Sequence, residues 1–323
     1  MIKMIKLIKR TIRATPPPQA PNSISLITLI NLISLISFII LPSLLVVPLL
    51  LAWAGSAERE ELRYNQVQQK ASHNSYQRKE DLMTQLKDFR IRAIEFDIHK
   101  KPKAPAGDWW VYHNLKGDAT VCDTLSECFA EVVKFHQAEP DHEVVTIFFD
   151  VSPLTDKAGL NAMFDKSFPA KSIFKPRDLM AACPSATTLQ ESVTKPECGW
   201  PKLKDLRGKF ILVITCGYAT FALLPYDRNS DLFFLASDAQ TTLQMQLLPD
   251  QIFVNMSRAN PFAKAAREAG FVSRCYWLND QNSYEKAMSF GAQILATDDL
   301  DPKRYPWTVT AAPDGWPFKT FKP

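Results

Sequence analysis

The sequence has no paired Cys-x-x-Cys spacing among its six cysteines, which argues against a structural zinc site. It has no internal repeat, low-complexity tract or linker that would mark a second folded domain. Beyond its first 13 residues it has little net charge. The formal charge is +4, and Lys3, Lys6, Lys9, Arg10 and Arg13 all lie in that opening stretch, so nothing points to a nucleic-acid footprint. Charge is also missing from residue 24 up to Glu58. What remains is 46% hydrophobic and 22% charged, a composition for a folded body and not for a disordered chain.

The basic start, a short stretch with Pro16, Pro17, Pro18 and Pro21, and the apolar run 24–54 read as a targeting segment. Ala52-Trp53-Ala54 before Gly55 has the small-residue pattern of a cleavage site. The run is also long enough to span a bilayer, although Pro42 and Pro48 would kink it. Residues 1–57 are therefore expected to be a signal peptide or a membrane anchor. Either way the remainder, 58–323, crosses the membrane, to be secreted or periplasmic after cleavage or else anchored with the folded part outside. The cysteines agree with an oxidising setting. Cys122 and Cys128 are close neighbours, and Cys183 and Cys198 flank a loop-like segment. Cys216 and Cys275 sit in strand-like runs, where bridges and buried free thiols are both open.

The stretch from residue 58 onward is close in length to one (β/α)8 barrel, roughly 250 residues. Short apolar, β-branched runs alternate with helix-like stretches, the pattern of a parallel sheet with crossover helices. Strands are expected at Gln66–Ala71, Ile91–Ile98, Trp109–Tyr112, Val144–Phe149, Phe210–Thr215, Ile252–Asn255, Val272–Trp277 and Gln293–Ala296. Leu125, Cys128, Phe129, Val132, Val133 and Phe135 fit one helical face. Short helices from Pro261 to Ala269 and from Ser283 to Phe290 end at Gly270 and Gly291, which suit C-terminal caps. The expected fold class is α/β, a TIM (β/α)8 barrel of one domain. Residues 153–205 and 217–250 are read as insertions on it.

Ionisable residues gather at the expected strand ends, where barrel enzymes keep their sites. His73 and Asn74 follow the first strand, Glu95 and Asp97 lie in the second, His113 follows the third and Asp150 the fourth. Strand alternation puts Glu95 and Asp97 on one face and Arg92, Ile94, Phe96 and Ile98 on the other. Two carboxylates inside a barrel repel and lose hydration unless a cation sits between them. With Asn74 and Asp150 they make four oxygen donors of the type hard divalent cations prefer. His73 and His113 form an imidazole pair able to remove one proton and deliver another near neutral pH. His99 falls on the Glu95 side and could orient other groups. His136 and His142 read as surface residues, and Arg258, Arg274 and Trp277 are candidates for substrate contact by location only.

Ala71-Ser72-His73-Asn74-Ser75-Tyr76, Arg92-Ala93-Ile94-Glu95-Phe96-Asp97 and Val111-Tyr112-His113-Asn114 resemble the X-region of phosphatidylinositol-specific phospholipase C. Three further stretches resemble its calcium-dependent bacterial and fungal branch. They are Cys122 to Leu125, Gly199-Trp200-Pro201 to Arg207-Gly208-Lys209, and Gly291-Ala292-Gln293 to Thr297-Asp298. The resemblance spans most of residues 66–300. It implies a membrane phospholipid substrate and Ca²⁺ held by Asn74, Glu95, Asp97 and Asp150. It makes His113 the acid on the leaving diacylglycerol oxygen and gives His73 the phosphorane and the cyclic phosphate to stabilise. Glu95, Asp150 or His73 would take the proton of the inositol 2-hydroxyl. Asp150 stands where eukaryotic enzymes use Glu. Phe210–Thr215 lacks the lysines that grip further ring phosphates, so unphosphorylated phosphatidylinositol is expected. The same layout is similar to two relatives, glycerophosphodiester phosphodiesterases and sphingomyelinase D, the latter implying Mg²⁺. A silent lipid-binding barrel is the reading from another class. Protein partners have no signal in the sequence.

Overall fold

A computed structural model describes residues 58–151, 156–215, 226–238, 241–312 and 314–321. The targeting stretch 1–57 and Cys216 lie outside these residues. Among the described residues no helix is long and apolar enough to cross a membrane.

The strands are β1 Val67–Ser72, β2 Ala93–His99, β3 Trp110–Val111, β4 Val145–Asp150, β5 Ile173–Phe174, β6 Phe210–Thr215, β7 Phe234–Ser237, β8 Gln251–Ser257, β9 Val272–Tyr276, β10 Ile294–Thr297 and β11 Phe318–Thr320. Side by side, β1, β10, β9, β8, β7, β6, β4 and β2 pair in parallel, and the β1–β2 pairing closes the ring. This is a closed (β/α)8 barrel. It runs within the unit Glu58–Pro323. Antiparallel β11 lies against β1, and β5 adds to the start of β6.

Two expectations are corrected. Trp109–Tyr112 was expected to be a barrel strand. Its core, β3, instead folds back antiparallel on the end of β2, with Ile98 opposite Val111. The eighth barrel strand is β7, inside the stretch 217–250 read as an insertion. β7 has four residues, too few to stand out, whereas aromatic and β-branched residues suit a hairpin as well as a barrel wall.

Helices α1 Leu125–Ala138, α2 Lys157–Ser167, α3 Pro176–Ala181, α4 Leu189–Thr194, α5 Thr242–Gln246, α6 Phe262–Glu268 and α7 Gln281–Ser289 cover the sheet. In α1, Thr124 and Glu127 form a capping box that closes the exposed N–H groups of its first turn, and Leu125, Cys128, Phe129, Val132 and Phe135 are buried. Ile94, Phe96 and Ile98 of β2 belong to the same apolar cluster, on the outer side of the wall. Gly270 and Gly291, past α6 and α7, have φ values of 82° and 83°, the left-handed conformation a glycine adopts without strain. Stretch 153–205 carries α2, β5, α3 and α4, and the Cys183–Cys198 disulfide ties its later half. At the N-terminal end of the barrel, Trp200 is fully buried against Tyr64, Phe234 and Phe253. The Tyr64 hydroxyl meets Thr146 Oγ1 at 2.6 Å.

Candidate active site

The site is built at the C-terminal ends of β1, β2, β4, β9 and β10. Glu95 and Asp97 alternate with outward apolar neighbours along β2, and register places Asp97 opposite Asp150 on β4. Glu95 and Asp97 are buried. Asn74 follows β1 in a left-handed conformation, φ 45°, which Asn tolerates better than most side chains. Its N–H donates to Glu95 Oε2 at 3.0 Å. The Ser75 hydroxyl accepts from Glu95 N at 2.8 Å and donates to Ser72 O at 3.2 Å. The loop after β1 is thus tied to β2, with Asn74 beside Glu95.

The two histidines are each held at Nδ1 by a carboxylate. His73 meets Asp298 Oδ1 at 3.0 Å, and His113 meets Asp97 Oδ2 at 2.8 Å. A carboxylate at Nδ1 favours the tautomer with the proton there and leaves Nε2 as the basic nitrogen. Asp298 is itself gripped by Arg78 at 2.7 Å and by Asn279 Nδ2 at 2.5 Å. His73 also stacks on Tyr276, ring centroids 5.6 Å apart. His113 hangs from the β2–β3 hairpin, not from a barrel strand, so its route into the site differs from the expected one.

His99 does not reach the carboxylates. Its Nε2 bonds Tyr112 O at 2.8 Å and its ring stacks on Tyr112 at 4.0 Å, so it braces the residue before His113. His142, read as a surface residue, is buried at the opposite end of the barrel. It bonds His136 at 3.1 Å and packs on Phe135 and Phe210. Arg92 points outward to Glu143 at 2.8 Å, away from the site.

In the sequence Arg274 is a candidate by location only, and the structure shows its contacts. Its Nη2 lies 2.6 Å from Glu95 Oε2 and its Nη1 2.7 Å from Asn255 Oδ1. The guanidinium is flanked by the rings of Phe148 and Tyr276, at 4.8 and 5.0 Å. Asp298 was missed as a partner of His73, although it obeys the same rule as Asp150, an acid where a barrel strand ends. Arg258 and Trp277 sit at neighbouring strand ends, 5.0 Å apart, and reach none of these carboxylates in a hydrogen bond or ion pair.

The electrostatics are those of an incompletely neutralised acidic site. Burial works to raise the pKa of Glu95, and Arg274, with smaller help from His73 and the Asn74 N–H, more than offsets it and holds Glu95 down. Burial and then the charge on Glu95 raise Asp97. Asp150 opens to solvent at the mouth while the barrel wall encloses it from below. That enclosure, followed by repulsion from Asp97 and Glu95, pushes its carboxyl up to about 7. No lysine or arginine pairs with Asp97 or Asp150 among the described residues. Oxygen donors with this surplus of negative charge fit a hard divalent cation. The fit is not a ready-made cage, since among the described residues no group of three His, Cys, Asp or Glu stands arranged to hold a metal.

No protein-family model matches the sequence, and no curated protein matches it. Solved structures do match. A calcium-dependent phosphoinositol-specific phospholipase C from Pseudomonas sp, in a myo-inositol complex, superposes with a TM-score of 0.65 at 18% identity. The match covers 82% of this chain and 97% of that one. A Ca²⁺-dependent phosphatidylinositol-specific phospholipase C from Streptomyces antibioticus gives a TM-score of 0.61 at 16% identity, covering 76% of this chain and 97% of that one. At such identities the likeness shows a shared barrel fold.

Proposed function

We propose that the chain is a phosphodiesterase that cleaves phosphatidylinositol to diacylglycerol and inositol 1,2-cyclic phosphate. The observation that carries this reading is the histidine pair, each Nδ1 held by its own carboxylate, set beside three further oxygen donors at one barrel mouth. Such a pair can take a proton from one oxygen and give one to another.

In this reading the phosphate of the lipid lies between His73 and His113. The inositol 2-hydroxyl attacks phosphorus and loses its proton to a base at the mouth. His73 Nε2 is available for this, with Nδ1 of the same ring held by Asp298. The new O–P bond forms as the bond from phosphorus to the glycerol oxygen breaks. His113, as imidazolium, gives its proton to that oxygen, and Asp97 stabilises the charged ring until then. Asn74, Glu95, Asp97 and Asp150 would hold Ca²⁺. When bound, it would supply positive charge that lowers the pKa of the 2-hydroxyl and offsets charge developing on the phosphate.

The two disulfides support an exported, oxidising setting, and the lipid substrate would be met at a membrane surface. A sphingomyelinase D-like reading has one observation in its favour, the Cys122–Cys128 disulfide that follows the His113 loop. Separate incubations with phosphatidylinositol, sphingomyelin and glycerophosphocholine distinguish the readings. Diacylglycerol release from the first supports the proposal, whereas choline release from sphingomyelin, or glycerol phosphate from the third, overturns it.

A further inference from the structure

Glu95 already has a cation. Arg274 reaches it from β9, across the barrel from β2, at 2.6 Å, and both side chains are almost wholly buried, at 1% and 6% exposure. Arg274 has little freedom to leave. Asn255 holds its other arm at 2.7 Å, and Phe148 and Tyr276 flank the guanidinium plane. Glu95 is held through one oxygen, Oε2, by Arg274 and by the Asn74 N–H. An ionised carboxylate this deep would be strongly unfavourable without a partner. Arg274 therefore lets the barrel fold with no ion bound. In the same conformation Glu95 is drawn toward β9, and among the described residues no group of three His, Cys, Asp or Glu stands arranged to hold a metal.

We infer that Arg274 is a built-in competitor for the metal at Glu95, so that cation binding at this mouth is an exchange. Glu95 gives up one charged hydrogen bond to Arg274 as it turns to the ion, and the affinity for the ion is lowered by the strength of that bond. Arg274 is a positioning residue in this sense. It stores Glu95 in a neutralised state and sets the calcium concentration at which the site fills. The inference rests on the proposed reading only in taking calcium as the ion.

The test is calcium binding to the full chain by isothermal titration, with no lipid present, alongside thermal unfolding in chelator and in calcium. Arg274→Met keeps the bulk of the side chain and removes its charge. Calcium is expected to bind at least about tenfold tighter, since a unit charge at such range shifts ionic equilibria by one to three powers of ten. The unfolding midpoint in chelator should fall, and the rise on adding calcium should grow. Because Arg274→Met alone leaves Glu95 unpaired and could lose its fold, the same step is repeated in a Glu95→Gln background. There it should have little effect on calcium affinity, because the shared carboxylate is gone. Unchanged or weaker binding in a folded Arg274→Met chain overturns the inference, as does an equal gain in the Glu95→Gln background. A parent chain that binds no calcium at all would instead remove the metal from the proposed function, a distinguishable failure.

Discussion

His113 Nδ1 lies 2.8 Å from Asp97 Oδ2, and the two residues reach that contact from strands running in opposite directions. β2 carries Asp97 upward to the mouth, and the hairpin returns through β3 so that Tyr112 N bonds Asp97 O at 3.3 Å just before His113. The short hairpin has one evident consequence, which is to deliver an imidazole beside a buried carboxylate.

His113→Ala is expected to lower turnover on phosphatidylinositol by about 10²–10⁴-fold, the range for loss of a positioned proton donor. The side chain is 45% exposed, so the fold should be unaffected. Steady-state kinetics with near-UV circular dichroism checks both parts. Activity within a few-fold of the parent would remove His113 from the acid role.

Asp298→Asn should reduce kcat by about 10–100-fold with little change in KM, because the group orients His73 and does not touch the substrate. Asn can still accept at Nδ1, so Asp298→Ala is expected to be the worse variant. An unchanged kcat in both would mean that Tyr276 stacking alone orients His73.

Calcium binding should weaken below about pH 7, approaching tenfold per pH unit, because a protonated Asp150 cannot serve as a ligand. Titrations at pH 6, 7 and 8 check this. In Asp150→Asn the dependence should flatten along with a loss of affinity.

Acid should destabilise the fold through the far end of the barrel. Burial lowers the pKa of His142 to about 4 from its ordinary 6.5. The neutral ring's stabilisation is therefore complete above about pH 6.5 and is lost as pH falls through 4, roughly 3 kcal/mol in all. Urea midpoints at pH 7, 5.5 and 4.5 should fall in that order. His142→Gln should start lower and show a shallower slope.

Trp200→Ala should cost about 3–5 kcal/mol, the range for a buried indole, and the lost hydrogen bond from Nε1 to Gly270 O adds to it. Because Trp200 closes the end of the barrel away from the mouth, the remaining folded fraction should keep its kcat. A kcat that falls with stability would place Trp200 in contact with the chemistry.

Much of the site was legible because strand periodicity is local. The Glu-x-Asp spacing places both carboxylates on the inner face of β2, and His73, Asn74 and Asp150 stand at barrel-strand ends, whereas His113 comes from the hairpin and not from a wall strand. What sequence left hidden was long-range. Arg274 is 179 positions from Glu95, and Asp298 is 225 from His73, so no local pattern couples them. The hairpin strand reads as a wall strand because both need extended, apolar residues, while the short wall strand at Phe234–Ser237 does not stand out from its irregular neighbours. His142 reads as exposed because nothing around it in sequence shows that the Phe135 and Phe210 rings pack on it.

The most direct measurement is phosphorus NMR of phosphatidylinositol vesicles incubated with the chain, with calcium in one sample and excess chelator in the other. The expected result is the resonance of a five-membered cyclic inositol phosphate, with calcium only. No cyclic product under either condition, or a lipid phosphate that keeps its glycerol while the head group is released, would contradict cleavage by the inositol 2-hydroxyl at this site.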